Sequence, residues 1–427
     1  MKKSKVAIIG GKLQGLEVVY LAKKAGITSL IIDRNENVIS RNLCDEFFCC
    51  DIREKSDELV EILKSADFVL PAIENDEVLE AITEICKKHN LKMAFDLESY
   101  KISTSKLLSD KLMHENNIPA PQYYPNCKEP YIVKPSVASG SDGVSYIETK
   151  EQVEAFLKSR PTEENWVVQE FLSGPSYSIE IIGVPGNYRT YEITQIHMDE
   201  VYDCKRVTAP CMLPDSVEKQ FSDMAVKLAE LVNLHGIMDV EVIEDEGILK
   251  VLEIDARVPS QTPIAVLHSS GVNLLTEIRD LFEYGKFSPL KSINVFGNGE
   301  TRFASNGETR FASFEHFKLT GKKLKTNGEH IIASGGPLNL IKGFCGADEV
   351  LTDYSEGKCE DKCEGKDEGK NEGKNEGINE WIGTFINSAD SAENLNKKRM
   401  TMFKEIEKIQ GSPLEIEDLS PSLRVMS

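Results

Sequence analysis

VLEIDARVPSQTP, residues 251–263, begins like a strand bound for a protein interior and then breaks that pattern. Val251, Leu252 and Ile254 are apolar, yet Glu253 and Asp255 set two carboxylates on one face, and Arg257 follows on the same face. A bare buried carboxylate is costly, so something must neutralise these groups. IMDVEVI (Ile237–Ile243) reads as a second strand, joined through an acidic turn to LKVLEIDAR (Leu249–Arg257) as an antiparallel pair. Alternation puts Glu241 on the side of Glu253, Asp255 and Arg257. Three carboxylates on rigid strands suit magnesium, a hard cation that takes oxygen ligands and keeps phosphates as partners. Arg257 suits a transferred phosphate. For one acid, an exposed face of mixed charge would explain the pattern as well. The whole set, taken with a lysine further upstream, favours a metal and phosphate site.

That lysine is Lys134. In YIVKPSVASGSDGVSYI (Tyr131–Ile147) it ends an apolar strand, directly before a loop of small residues and a second strand. Small residues let backbone amides approach phosphate oxygens, and the lysine adds a point charge. The pattern GxxxxGK[ST] is absent, so this is not a Walker A loop. Lys106 lies upstream in SKLLSDKLMHENNIPAPQ (Ser105–Gln122), a helix with a Pro-rich exit. EQVEAFLKS (Glu151–Ser159) reads as a helix, WVVQEFL (Trp166–Leu172) and SYSIEIIGV (Ser176–Val184) as strands, and Val217–Gly236 as a long helix.

The N-terminal part alternates strand and helix, which makes a parallel sheet flanked by helices. Its strands are KVAIIG (Lys5–Gly10), SLIID (Ser29–Asp33), DFVLPA (Asp67–Ala72) and KMAFD (Lys92–Asp96), with helices at Leu16–Gly26, Asp57–Ala66 and Val78–Asn90. GGKLQG (Gly10–Gly15) follows the first strand where a dinucleotide fingerprint would sit, but Lys12 occupies the place of its middle glycine. A lysine there blocks close approach of a pyrophosphate and offers charge at a helix N-terminus instead. A tight strand–helix turn explains the motif equally well. Asp33 ends the second strand, where a ribose-binding acid often sits.

A chain of 427 residues is too long for one core. We expect an N-terminal Rossmann-like domain at 1–96, a central domain at 97–184 and a C-terminal domain at 185–427. The net charge of −20 disfavours binding to a nucleic-acid backbone. No apolar run is long enough for a membrane span, and MKKSKVAIIGG reads as a first strand rather than a signal peptide. The ten cysteines form no CxxC pair and read as reduced, in keeping with a cytoplasmic location. NGETRFAS occurs twice in tandem, at Asn298–Ser305 and Asn306–Ser313, as a recent duplication rather than a structural repeat. Glu356–Glu380 repeats every four residues with frequent glycine, and we expect a disordered insert; a metal role for its Cys359 and Cys363 is disfavoured.

In this order, the motifs from Ser105 to Pro263 resemble the ATP-grasp superfamily. The resemblance implies α/β and α+β architecture: two α+β subdomains clamp ATP, preceded by the Rossmann-like parallel-sheet domain. It implies Lys106 and Lys134 on the α- and β-phosphates, Ser139, Gly140 and Ser141 in a loop over them, and a hinge of Glu170, Phe171 and Leu172 at the adenine. Glu241, Glu253 and Asp255 would hold Mg2+, or Mn2+. Asp255 stands where many relatives have Asn, and Ser176 where many have a ribose-binding Glu. KVAIIGGKLQG, LIIDRN, LPAIEN, HMDEVYDC, GIMDVEVI and EIDARVPSQTP look like the ligases of pyrrolysine biosynthesis, which join 3-methyl-D-ornithine to the ε-amine of L-lysine. That likeness implies Leu13, Gln14 and Glu74 at the lysine, and Ser178, Ile179, Glu180, Arg257, Ser260, Gln261 and Thr262 around the ornithine-type substrate. It also implies Lys12, Asp33, Asp51 and Ile52 at a second nucleotide, and a homodimer by analogy. Another carboxylate–amine ligase of amino-acid metabolism stays open, as does a catalytically silent ATP-binding module.

Overall fold

The computed structural model describes residues 3–136, 143–159, 166–289, 310–355 and 380–418, and the backbone alone at 291–295 and 300–304. Strands β1 (Lys5–Ile9), β2 (Thr28–Asp33), β3 (Glu46–Cys49) and β4 (Phe68–Pro71) form a parallel sheet in the order β3-β2-β1-β4. Parallel neighbours need crossovers, and α1 (Leu13–Ala25) supplies the first. Val6 and Ile8 pack on the α1 side, while Ala7 and Ile9 face the core of α2 (Asp57–Lys64) and α3 (Asp76–His89). Two elements differ from the sequence reading. EFFC at 46–49 is a strand that its mixed polarity had hidden. KMAFD, expected as a strand, makes one parallel bridge, Met93 to Val69. The chain then turns at once into α4 (Leu97–Ser103), because the Asp96 carboxylate accepts the Ser99 amide as an N-cap.

After α5 (Lys106–Glu115) comes a small antiparallel sheet of β5 (Tyr131–Pro135), β6 (Ser145–Ile147) and β7 (Trp166–Glu170), in the order β6-β5-β7. Helix α6 (Lys150–Lys158) opens on a capping box made by Thr149 and Gln152. Its Val153 closes a compact core with Tyr131, Val133, Ile147 and Val168.

The large sheet follows. Its strands are β8 (Ser176–Val184), β9 (Asn187–Thr190), β10 (Thr194–Met198), β11 (Cys204–Ala209) and, beyond α7 (Asp215–Leu231), β12 (Gly236–Asp245) and β13 (Ile248–Asp255). The last strand of the small sheet ends at Glu170, and β8 pairs with β12 in the large one. Helices α8 (Thr262–Ser270) and α9 (Leu274–Tyr284) lead to the hairpin β14 (Lys291–Val295) and β15 (Glu300–Ala304), then β16 (Phe311–Thr320) and β17 (Lys323–Thr326). Then come α10 (His330–Ala333), β18 (Asn339–Lys342), β19 (Glu349–Thr352), β20 (Glu380–Ala389), α11 (Ala392–Gln410) and β21 (Glu415–Glu417). The main path is β13-β12-β8-β10-β11-β16-β20-β19-β18. The two octapeptide copies part company: the first contributes β15, and the second ends as the first residues of β16, paired to β11 and β20. Residues 356–379 of the low-complexity stretch, with Cys359 and Cys363, lie outside the described residues, between adjacent strands β19 and β20. Among the described residues, no helix is long and apolar enough to cross a membrane.

Candidate active site

One side of β12 and β13 carries the core. Met238, Val240, Val242, Val251 and Ile254 pack against Phe221, Ala225 and Leu228 of α7. The other side carries the acids. Glu241 faces Glu253, and Asp239 faces Asp255, across the strand pair. The register shifts between Glu241 and Val242, so that Leu252 is the extra residue of a bulge. Strict alternation would have put Val251 on the side of Glu253. The bulge sends Val251 into the core and leaves the acids together on the opposite face. On the neighbouring strand β8, Ser178 is the register partner of Glu241 and Glu180 that of Asp239. Ile179, between them, is buried in the α7 core, so only its main chain can face the site.

Arg257 ties this face to the N-terminal sheet. Its Nη2 donates to Asp255 Oδ2 at 2.6 Å, its Nη1 to Asp239 Oδ1 at 3.4 Å and its Nε to Glu74 Oε1 at 2.8 Å. Lys106 Nζ donates to Glu253 Oε1 at 3.0 Å. Lys134 is buried at the end of β5, and a backbone bond from Lys106 N to the Ser136 carbonyl, 3.0 Å, draws the two lysine-bearing segments together. Carboxylates still outnumber cations. Burial, reinforced by the neighbouring acids Asp239 and Glu253, pushes Glu241 up to about 8. Burial outweighs the pull of Arg257 at Asp239, raised to about 6, and holds Asp255 well above the ordinary range. Burial also lifts Asp110, one turn along α5 from Lys106, to about 6 against the charge of Lys134. A face that holds so many protons is short of positive charge, and its oxygen donors on rigid strands fit a hard divalent cation.

The three expected metal ligands are not drawn into one tight cluster: Glu253 leans to Lys106 and Asp255 to Arg257. Among the described residues, Asp199, Asp203 and His330 do bring ligand atoms within 4.8 Å of one another. Their oxygens are already used as a brace. Asp199 accepts the amides of Val201, Asp203 and Gly328, and Asp203 accepts the amide and Nδ1 of His330.

Next to the acids, on β8 and at the start of α8, lies a second buried polar cluster. Ser178 Oγ, both Glu180 carboxylate oxygens and Thr262 Oγ1 are buried and short of hydrogen-bond partners, with the Thr262 hydroxyl near enough to Glu180 to hold it down in part. Buried polar groups in folded proteins are ordinarily paired, so such a cluster is rare. Burial raises Glu180 to about 8. Gln261 is held by its Nε2 to Glu329 Oε2 at 2.9 Å, and Ser260 Oγ donates to the same oxygen at 2.6 Å.

A cavity of 1170 Å³ opens between the parallel sheet, the β6 hairpin at Gly143–Tyr146 and the turn at Glu200–Asp203. Lys12, Leu13, Gln14, Asp33, Asp51, Ile52 and Glu74 all line it, as do Arg257 and Glu329. Gln14 Nε2 donates to Glu74 Oε1 at 2.8 Å. Asp33 is partly committed to the turn, since its Oδ2 accepts the Gly11 amide at 2.9 Å. Asp51 caps a short turn and pairs with Arg53 at 2.6 Å. At the hinge, the Glu170 and Phe171 amides bond to the Gln122 and Pro130 carbonyls, and the Glu170 side chain pairs with Lys250 at 2.9 Å. Leu172 is buried just beyond. Ser139, Gly140 and Ser141 lie outside the described residues.

Residues 103–261 match the ATP-grasp domain model. Three curated relatives carry the name 3-methyl-D-ornithine–L-lysine ligase, two of them as follows. The Methanosarcina mazei protein is 39% identical, over 66% of this chain and 72% of its own. The Methanosarcina acetivorans protein is 35% identical, over 77% of this chain and 84% of its own. The chain belongs to the 3-methyl-D-ornithine–L-lysine ligase family. As a member of that family it is an ATP-dependent ligase with the ATP-grasp fold. Solved structures agree on the fold. An L-amino acid ligase from Bacillus licheniformis superposes with TM-score 0.62 at 15% identity, over 95% of this chain and 98% of its own. A biotin carboxylase from Campylobacter jejuni superposes with TM-score 0.66 at 14% identity, over 95% of this chain and 91% of its own. ATP-grasp ligases in general use ATP and Mg2+.

Against this family frame, sequence reasoning missed Asp239, Asp110 and Glu329. Asp239 was findable, since it precedes Glu241 by two residues and shares its face. Asp110 and Glu329 had no local signal, because long-range packing brings them in.

Proposed function

We propose that the protein joins the carboxylate of 3-methyl-D-ornithine, or of D-ornithine, to the ε-amine of L-lysine, in pyrrolysine biosynthesis, with ATP consumed through an acyl phosphate to ADP and phosphate. The observation that carries this reading is the buried polar cluster of Ser178, Glu180 and Thr262, short of hydrogen-bond partners, with Ser178 and Glu180 on the strand next to the carboxylate face. An acid held there without a cation is suited to a substrate ammonium, and the hydroxyls to its remaining polar groups.

The chemistry follows from charge. A carboxylate that attacks ATP meets a polyanion, so the site must neutralise both. Lys106 and Lys134 would lie along the α- and β-phosphates, and Arg257 would exchange its carboxylates for the transferred phosphate. Glu241, Glu253 and Asp255 would hold Mg2+, with Mn2+ as a substitute of similar oxygen preference. The ion, when bound, supplies Lewis-acid charge at the phosphates. Glu170, Phe171 and Leu172 would meet the adenine, and Ser139, Gly140 and Ser141 would cover the phosphates. The hairpin that carries Tyr146 would shield the acyl phosphate from water. Leu13, Gln14 and Glu74 would receive the lysine, and its deprotonated ε-amine would displace phosphate. Ser178, Glu180, the Ile179 main chain and Ser260–Thr262 would hold the ornithine-type substrate. Lys12, Asp33, Asp51 and Ile52 would take a second nucleotide in the same cavity. The partners are small molecules, in the cytoplasm, and a homodimer is part of the reading.

Glu180→Gln tests it. The KM for D-ornithine should rise at least about tenfold, the scale of a lost charge-assisted bond, while the KM for ATP stays within about twofold. A rise confined to lysine or ATP would contradict the substrate assignment.

A further inference from the structure

Helix α8 begins at the Ser260–Thr262 loop, and its first amides show how that loop is held. Thr262 N donates to the Ser260 carbonyl at 2.8 Å, and Ala265 N to the Gln261 carbonyl at 3.3 Å. Pro263 has no amide proton. That leaves the N–H of Ile264, the third residue of the helix, which an N-cap side chain ordinarily takes. Here the N-cap residue is Gln261, and its side chain is spent elsewhere. Its Nε2 bonds to Glu329 and to the Cys204 carbonyl, and its Oε1 accepts from Cys204 Sγ at 3.1 Å. Gln261 also sits at a φ of 72°, which side-chain-bearing residues rarely adopt.

The missing cap comes from another layer of the molecule. Glu17, in the middle of α1, accepts the Ile264 amide on Oε1 at 2.7 Å. It is 2% exposed and set among the core residues Leu16, Val18 and Val19. A carboxylate in that setting is costly unless its bonds matter to something. The same helix starts with Leu13 and Gln14, one turn earlier, at the cavity that faces Glu74.

We propose that Glu17 is a positioning residue for the ligase reaction: it caps α8 from α1 and so fixes the strained Gln261–Thr262 segment in the conformation that receives the carboxylate substrate. One rigid helix thereby sets the lysine side and the ornithine side of the site relative to each other. The proposal rests on the reading that Ser260–Thr262 meet the ornithine-type substrate. Glu17 touches no reacting atom and acts only through the loop.

The test uses the full chain with Glu17→Ala, Glu17→Asp and Glu17→Gln, read by steady-state kinetics and by hydrogen exchange over residues 258–267. Glu17→Ala should raise the KM for D-ornithine about tenfold, equivalent to roughly 1.4 kcal/mol, with the KM for ATP unmoved. Glu17→Asp, which withdraws the oxygen by one methylene, should follow Ala. Glu17→Gln, which keeps an acceptor oxygen, should stay near wild type. Exchange over residues 258–267 should speed up in the Ala and Asp variants and not in Gln. Should Glu17→Ala fail to fold, the Asp against Gln contrast decides. Equal KM changes for ATP and D-ornithine, or unchanged exchange in Glu17→Asp, would overturn the proposal. A wild-type protein without D-ornithine-dependent turnover, but with the exchange contrast intact, would instead sink the substrate reading.

Discussion

Arg257 holds the centre of the site by linking Glu74 from one layer to Asp239 and Asp255 from another. That placement makes the roles of its partners separable. Asp255→Ala should lower ADP formation by more than about a hundredfold, since even residues behind a metal's own ligands cost about 10–100-fold. Near-wild-type circular dichroism should accompany that loss, and surviving turnover would contradict the metal assignment. Glu74→Ala should raise the KM for lysine about tenfold and leave that for ATP within about twofold. Equal rises would sink the lysine pocket. Glu241, Glu253, Asp255 and Arg257 were legible because alternation on two strands is a local rule. Asp239 obeyed the same rule and was overlooked. Glu17, Glu329 and Asp110 were not legible, because their partners lie far along the chain and local sequence carries no trace of them.

At the scale of elements, the bulge at Leu252 matters most. Read as a plain strand, VLEID would have asked Val251 and Glu253 to share a face, and the sequence has no way to announce the extra residue. The strands and helices around it were legible because each has a strong period, as in SYSIEIIGV, which runs as β8 over the same nine residues. EFFC and KMAFD were not, since four or five residues of mixed polarity leave the decision to neighbours. The first strand–helix turn is similarly exacting. A Cβ on Gly15 would sit 2.2 Å from the Gly10 carbonyl oxygen, with Gly10 itself at a φ of 102°. Gly15→Ala should therefore destabilise the protein by about 1–3 kcal/mol in urea unfolding, as overpacking typically does. A neutral result would mean that the turn is looser than described.

Over the whole molecule, buried acids set the pH response. Glu17, Glu180 and Glu241 are raised to about 8 from the ordinary carboxylate value of 4.5. Between those values the folded chain keeps protons that the unfolded chain has released, so stability falls as pH rises through about 8. Buried His197 and His268, held down to about 4, act in the opposite sense, but only below their ordinary 6.5. The melting temperature without ligand should thus fall from pH 7 to pH 9, and Mg·ATP should recover more of it at pH 9, where ionised Glu241 can meet the cation. A flat profile would contradict the protonation of these acids. The insert makes a separate case. It joins neighbouring antiparallel strands β19 and β20. Deletion of residues 357–377 should leave kcat/KM within about twofold, since the cost of closing a loop changes only slowly with its length.

The most direct test of the central claim is ADP release by the purified protein with Mg2+, ATP and 3-methyl-D-ornithine, with and without L-lysine, and with the product mass read in parallel. The account predicts lysine-dependent ADP release and a product of one 3-methyl-D-ornithine joined to lysine with the loss of one water. ADP release without that condensed mass, or no dependence on the ornithine-type acid, would contradict it.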